Sequence, residues 1–153
     1  MENLTQNTNF LGVGWGFPPT FDIISPGVGM TEGVDDIYSS LHILLTTMQG
    51  ERIMQPRYGC NLEDLIFEPL DTSLKTLIID KIETAILLYE PRIVADKISI
   101  TEQNDNEGLV EIKIDFTVKS TNSRFNFVFP FYKNEGTEIL NFLLNPPSQD
   151  NSL

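Results

Sequence analysis

The sequence predicts an α+β domain: two main helices packed on a three-stranded, or slightly larger, antiparallel β-meander, in two layers. Two patterns carry this. From Ile98 to Phe131 apolar and polar residues alternate with period two, in three runs separated by turn-forming stretches. Before them, two segments repeat apolar residues at helical spacing. The halves join at Tyr89-Glu90-Pro91-Arg92. There the proline, which has no amide hydrogen and restricts the residue before it, ends the second helix.

In the strand half, Ile98 and Ile100 alternate with Lys97, Ser99 and Thr101. Val110, Ile112, Ile114, Phe116 and Val118 alternate with Glu111, Lys113, Asp115, Thr117 and Lys119. Phe125, Phe127, Phe129 and Phe131 alternate with Arg124, Asn126, Val128 and Pro130. Polar stretches at 103–108 and 120–123 supply the turns. Such a meander has one oily face and one mostly wet face. The oily face needs a cover, and the helices are the available one.

The first helix is predicted over 34–49, with Val34, Ile37, Tyr38, Leu41, Leu44, Leu45 and Met48 on one face. Thr31 is the candidate N-cap, Asp35 and Asp36 suit the positive end of the helix dipole, and Gly50 is a natural stop. The second helix starts near Asp71 or Thr72 and runs to Tyr89. Its stripe of Leu74, Leu77, Ile78, Ile82, Ala85, Ile86 and Tyr89, widened by Ile79 and Leu88, predicts a central helix covered on several sides.

Residues 10–19, with three glycines and two prolines, exclude a helix. Trp15 and Phe17 lie there, either as plugs of the domain's own core or as exposed aromatic anchors for a partner. A short strand is expected at 21–25 and a turn-rich connection at 25–30. The stretch 51–69 is a long structured loop broken by Pro56, Gly59 and Pro69, with one helical turn around Leu62, Leu65, Ile66 and Phe67. Loops of this kind often carry function. Its Arg52 and Arg57 have guanidinium groups suited to pairing with carboxylates, Glu90 among them. A last short helix or strand is expected at 138–144. No repeat or linker divides the chain, so the expected organisation is a flexible arm at 1–9, one domain at 10–144 and a loose tail at 145–153.

The chain of 153 residues is long enough for one domain with a real core. Its formal net charge of -12 disfavours nucleic acid and anionic membranes as partners; it favours basic protein surfaces, or serves solubility. Cys60 is the single cysteine, so no internal disulfide forms, which fits a reducing compartment. No basic or long apolar N-terminal stretch marks a signal peptide, and no apolar run is long enough to span a membrane. Synthesis in the cytoplasm is expected.

Catalytic constellations are few. His42 lies beside the first helix's stripe, with no second His or Cys at ligand spacing. Gly12-Val13-Gly14-Trp15-Gly16 lacks the Lys-Ser/Thr of a phosphate-binding loop. Glu63, Asp64 and Glu68 in the middle loop could supply a carboxylate pair of the glycosidase kind, but such proximity is expected by chance among 22 acidic residues. The reading is a non-enzyme without cofactor or metal.

Three stretches, taken in order, resemble a known family: Gly12 to Pro19, Arg52 to Leu62 continuing to Phe67-Glu68-Pro69, and Glu90-Pro91-Arg92. They look like the baseplate wedge and sheath-initiator proteins of contractile phages, type VI secretion and extracellular contractile injection systems, long labelled lysozyme-like. The resemblance spans roughly residues 10 to 131. It implies a structural protein of the baseplate, present in multiple copies (six by expectation) around the tail axis, that templates the first sheath ring. The implied partners are the sheath protein, baseplate wedge proteins and, as a further candidate, the inner tube. Glu90, Pro91 and Arg92 match the family's hallmark motif, linked to assembly contacts. The opening motif looks most like injection-system and phage-tail members. Trp15, Phe17, Arg52 and Arg57 are further interface candidates. The competing readings are a peptidoglycan hydrolase and a stand-alone protein-binding module. Within the motif, Glu90 is expected to steady Arg52 or Arg57, leaving Arg92 freer to meet a partner, so that Glu90→Ala or Arg92→Ala would leave the isolated domain folded.

Overall fold

A computed structural model describes residues 11–22, 27–62, 65, 68–104 and 109–132. The expected arm at 1–9, the element at 138–144 and the tail at 145–153 lie outside them. In order the elements are β1 (Val13–Trp15), β2 (Phe21–Asp22), β3 (Gly27–Val28), β4 (Met30–Glu32), α1 (Val34–Thr46), α2 (Thr72–Tyr89), β5 (Ile93–Asn104), β6 (Leu109–Val118) and β7 (Ser123–Tyr132). β5, β6 and β7 form an antiparallel meander in that order. The two-helix, three-strand α+β architecture is the one the patterns predict. Two small antiparallel pairs, β1 with β4 and β2 with β3, add to it.

Register turns the meander's alternation into a layer. Val110, Ile112, Ile114 and Phe116 stand opposite Phe131, Phe129, Phe127 and Phe125. On the other side Ile114 and Ile112 face Ile98 and Ile100, while Phe116 and Val118 face Ala95 and Ile93. The inward set on β5 therefore switches from odd to even numbers. A bulge between Ala95 and Lys97 inserts the extra residue. The Thr117 hydroxyl donates to the Asp96 carboxylate at 2.5 Å, holding that residue at the break. β5 begins at Ile93, upstream of the alternation at Ile98, because the bulge hides its first half from a simple period-two pattern.

The helices cover the inner face. From α1, Ile37, Leu41, Leu44 and Leu45 enter the core; from α2, Leu74, Ile78, Ile82, Ala85 and Ile86 do. Tyr38 stacks on Phe127 and meets Phe116 edge-on. Burying this many aliphatic and aromatic side chains is the main stabilising term, at roughly 1.5–3 kcal/mol per fully buried side chain.

The helices differ from expectation in two ways. α1 ends at Thr46, and Thr31 belongs to β4 rather than capping α1; Gly33 takes the cap position without a side-chain hydrogen bond. The Thr47 hydroxyl and backbone NH both donate to the Ile43 carbonyl, which closes the helix before Gly50. α2 is correctly capped, with the Leu74 NH donating to the Asp71 carboxylate at 2.7 Å. It is not covered on several sides, however. Leu77, Leu87 and Leu88 face solvent at 44%, 74% and 62% exposure, so only one stripe of a broadly apolar helix is buried.

The 51–69 loop is anchored to the end of α1. The Cys60 NH donates to the Thr47 carbonyl, and the Gln49 side chain donates to the Gly59 carbonyl. Gly59 has φ +119, and a Cβ there would overlap the Thr47 carbonyl oxygen. Cys60 follows it into the core, where burial pushes its thiol up to about 11. The helical turn expected around Leu62 is seen in the Leu65 NH donating to the Leu62 carbonyl; Ile66 and Phe67 lie outside the described residues. Gly59→Ala is expected to lose about 2 kcal/mol or more, from positive φ and backbone overlap together, measured by urea unfolding.

Candidate functional site: a charged corner and three exposed apolar tips

The corner is a β-turn. Pro91 occupies its second position, where its fixed φ is pre-set, and the Ile93 NH donates to the Glu90 carbonyl across it at 3.3 Å. The Glu90 NH still donates to Ile86, so helix runs directly into turn and turn into strand. This brings the first and third side chains of the turn to the same side. The Arg92 Nε and Nη2 groups donate to the two Glu90 carboxylate oxygens at 2.6 and 2.7 Å. That is the two-pronged geometry in which guanidinium and carboxylate bind most strongly.

Arg92 has two more acceptors. Its Nη1 donates to the Asp36 carboxylate at 2.6 Å and to the Leu11 carbonyl at 2.8 Å. Asp36 sits in the first turn of α1, favoured there by the helix dipole, and also accepts from the Thr31 hydroxyl. Two glycines let the chain close over this group. Gly12 has φ +92, and a Cβ on it would lie 3.8 Å from Nη1. A Cβ on Gly14 would overlap the Asp36 carboxylate. Gly14 is thus a close-approach requirement, whereas Gly12 is called for by its positive φ, since a Cβ there would make only ordinary contact. Hydrogen bonds to Glu90 above all, and then to Asp36, hold the Arg92 guanidinium even further into its charged form, against burial.

The expected pairing within the motif is therefore corrected. Glu90 has an internal arginine, but it is Arg92, and Arg92 is not free for a partner. Glu90 is 2% exposed, which leaves no open side for an outside contact. Nor do Arg52 and Arg57 reach Glu90. The Arg52 guanidinium lies 4.6 Å over the Tyr58 ring. Tyr58 meets Tyr89 edge-on at 5.1 Å, and the Tyr89 hydroxyl donates to the Arg57 carbonyl. Burial pushes the Tyr58 hydroxyl up; Arg52 opposes this and Glu90 adds to it.

The other candidates are on the surface. Trp15 is 65% exposed, opposite Met30 on β4, and Phe17 is half exposed. Trp15 does not plug the core. Phe21 is exposed as well, opposite Val28. Phe17 rests against His42, whose ring also meets Phe129. Glu63 and Asp64 lie outside the described residues. Among the described residues no group of three or more His, Cys, Asp or Glu is placed to hold a metal, and no helix is long and apolar enough to cross a membrane. Asp36 and the Leu11 carbonyl were missed in the sequence; the glycine pair was the available signal for a group lying against the backbone.

Solved structures similar to this chain include one from the baseplate of the anti-feeding prophage, imaged by cryo-electron microscopy and six-fold symmetrised. It is 28% identical, with a TM-score of 0.62, covering 90% of this chain and 97% of that one. A crystal structure from Geobacter sulfurreducens, described as a tail lysozyme, is 38% identical, with a TM-score of 0.62 over 68% of this chain and 94% of its own. The fold is that of a structural baseplate component of contractile injection machines. The family described as baseplate wedge protein gp25 matches residues 31–123, and the chain belongs to it. The baseplate wedge protein gp25 of Enterobacteria phage T4 is 32% identical over 91 residues, 60% of this chain and 68% of the phage protein.

Two outcomes follow from the corner and its flank. Arg92→Ala strands the buried Glu90 carboxylate and is expected to lose about 3 kcal/mol, the lower end for a broken buried pair because Arg92 is partly exposed. Arg92→Lys, without the planar fork, should recover less than half of that in urea unfolding. Burial lowers the pKa of His42. Between its unfolded value, about 6.5, and its lower folded value, the unfolded chain binds more protons, so stability falls as pH drops through this window. His42→Phe should flatten the slope of the urea midpoint between about pH 7 and pH 5.5.

Proposed function

We propose that this baseplate component joins the baseplate to the sheath and templates the first sheath ring by offering a β-sheet edge to sheath strands. The observation that carries the reading is the meander's two unpaired edges. Among the described residues no strand pairs with the outer side of β5 or β7. Free strand edges present rows of unpaired backbone donors and acceptors on which a partner strand can add. β7 keeps its register throughout but contains Pro130, whereas β5, regular from Lys97 to Glu102 between two irregularities, has no proline to interrupt its row of backbone donors. Below the edge, the Arg92 group fixes where β5 starts relative to both helices.

The partners under this reading are the sheath protein and neighbouring wedge proteins, with the inner tube as a further candidate. The six-fold baseplate that holds a structural relative supports six copies around the tail axis. The exposed ribbon of Val13, Trp15, Met30 and Phe21, with Phe17 beside it, is the surface for a wedge neighbour, since aromatic side chains dominate such contacts. The role is non-enzymatic. Glu90 is saturated by Arg92 and buried, which removes the hallmark carboxylate from general acid or base work.

Hydrogen exchange of the full chain with and without sheath subunits is the test. Amides along the β5 edge, free to exchange in the isolated chain, are expected to become protected. Unchanged exchange in β5 and β7, in tails whose sheaths extend normally, would overturn strand addition. Tails assembled without the chain are expected to carry baseplates but no sheath in electron micrographs.

A further inference from the structure

The turn at the start of the 51–69 loop is built to present two side chains. Ile53 and Met54 are 92% and 91% exposed, more than any other large apolar residue among those described, Leu87 following at 74%. A flexible tip would leave such exposure without meaning, but this tip is tied down. The Gln55 NH donates to the Arg52 carbonyl at 3.2 Å and the Tyr58 NH to the Gln55 carbonyl at 3.0 Å, two successive turns. The Gly50 NH closes the neck by donating to the Pro56 carbonyl at 2.8 Å. Behind it, the Tyr58–Tyr89 contact and the Tyr89 hydroxyl on Arg57 fasten the turn to the end of α2. Ile53 and Met54 are thus held out in advance, which lowers the entropy lost when a partner covers them.

Charge indicates what covers them. The chain is strongly acidic, yet the turn brings two of its ten basic residues to this tip. Neither Arg52 nor Arg57 has a carboxylate ion-pair partner among the described residues. Arg52 is held over the Tyr58 ring instead, with its donors left over. The turn's single acid, Glu51, is already engaged by the Met48 NH, so two apolar side chains on a turn of net positive charge complement an apolar socket with carboxylates at its rim. An anionic membrane would attract the same two arginines, but the net charge of -12 repels it.

We infer that the 50–58 turn is a rigid plug that seats Ile53 and Met54 in an acidic-rimmed apolar socket on a neighbouring wedge protein of the baseplate. This rests on the baseplate placement and is independent of sheath templating.

The test uses the full chain, expressed with the complete set of tail proteins. A photo-crosslinking amino acid at position 54 is expected to join the chain, in purified baseplates, to a different wedge protein, at a segment mixing apolar and acidic residues. Ile53→Asp with Met54→Asp, and separately Arg52→Glu with Arg57→Glu, should each lower incorporation into baseplates about tenfold or more. The thermal midpoint of the isolated Ile53→Asp, Met54→Asp variant should stay within about 2 °C of the wild type, since the apolar pair has almost no contacts to lose, and the arginine variant, which gives up the Arg52 contact with Tyr58, should still unfold cooperatively. Normal incorporation of either double variant would overturn the proposal. So would crosslinks only to a second copy of this chain, or variant-sensitive binding to phosphatidylglycerol vesicles. If wild-type chain enters baseplates and the tip variants do so equally, the plug fails while sheath templating stands. If the tip variants are excluded but the β5 edge gains no protection from sheath, the reverse holds.

Discussion

One guanidinium group joins four segments of this chain. Arg92 binds the carboxylate that ends α2, an acid in the first turn of α1 and the carbonyl that leads into β1, from its own place at the head of β5. Its carbonyl also accepts from the Lys119 NH beyond β6. A charge so enclosed gains little net free energy from its pairing alone, because desolvation offsets much of the attraction. Its influence is geometric. The observed arrangement of helix end, strand start and N-terminal strand gives four of its five N–H donors an acceptor, and losing it would leave the buried Glu90 carboxylate without its partner.

That arrangement changes how the hallmark motif contributes to assembly. A motif associated with assembly contacts invites the idea that its charges touch the partner. Here they are consumed internally, and Glu90 is out of reach of any neighbour. Within the chain the motif ties the end of α2 and the start of β5 to α1. The candidate contact surfaces are the meander edges left unpaired among the described residues, the exposed aromatic residues around Trp15 and the tip at Ile53 and Met54. They lie on separate elements, which suits a protein fitted between several neighbours.

The acidic surface and the basic tip divide the work in the same way. A net charge of -12 keeps copies of the free chain apart, and a like-charged surface guards against self-association through exposed strand edges. Arg52 and Arg57 interrupt that surface where an apolar pair projects. The glycines act at shorter range. Gly14 lets backbone lie on the Asp36 side chain, and Gly59 lets a loop lie on the end of a helix. Each is a place where two stretches distant in sequence approach more closely than a side chain permits.

Whatever depends on periodicity was present in the sequence. The alternation at Val110 to Val118 and at Phe125 to Phe131 specified two strands and their buried face, and Asp71 and Pro91 marked both ends of α2. These signals are local, set by residues within a few positions of one another. The tertiary structure decided what depended on distant partners. It assigned Glu90 to Arg92 rather than to Arg52 or Arg57, because a turn two residues long brings the nearer arginine round first. It drew Asp36 and the Leu11 carbonyl into the same group, turned Leu87 and Leu88 outward, and hid the start of β5 behind a bulge. Composition gives an apolar residue no label for core or contact surface. Ile53 and Met54 became contact candidates, and Trp15 lost its alternative as a core plug, only once the fold had filled its core without them.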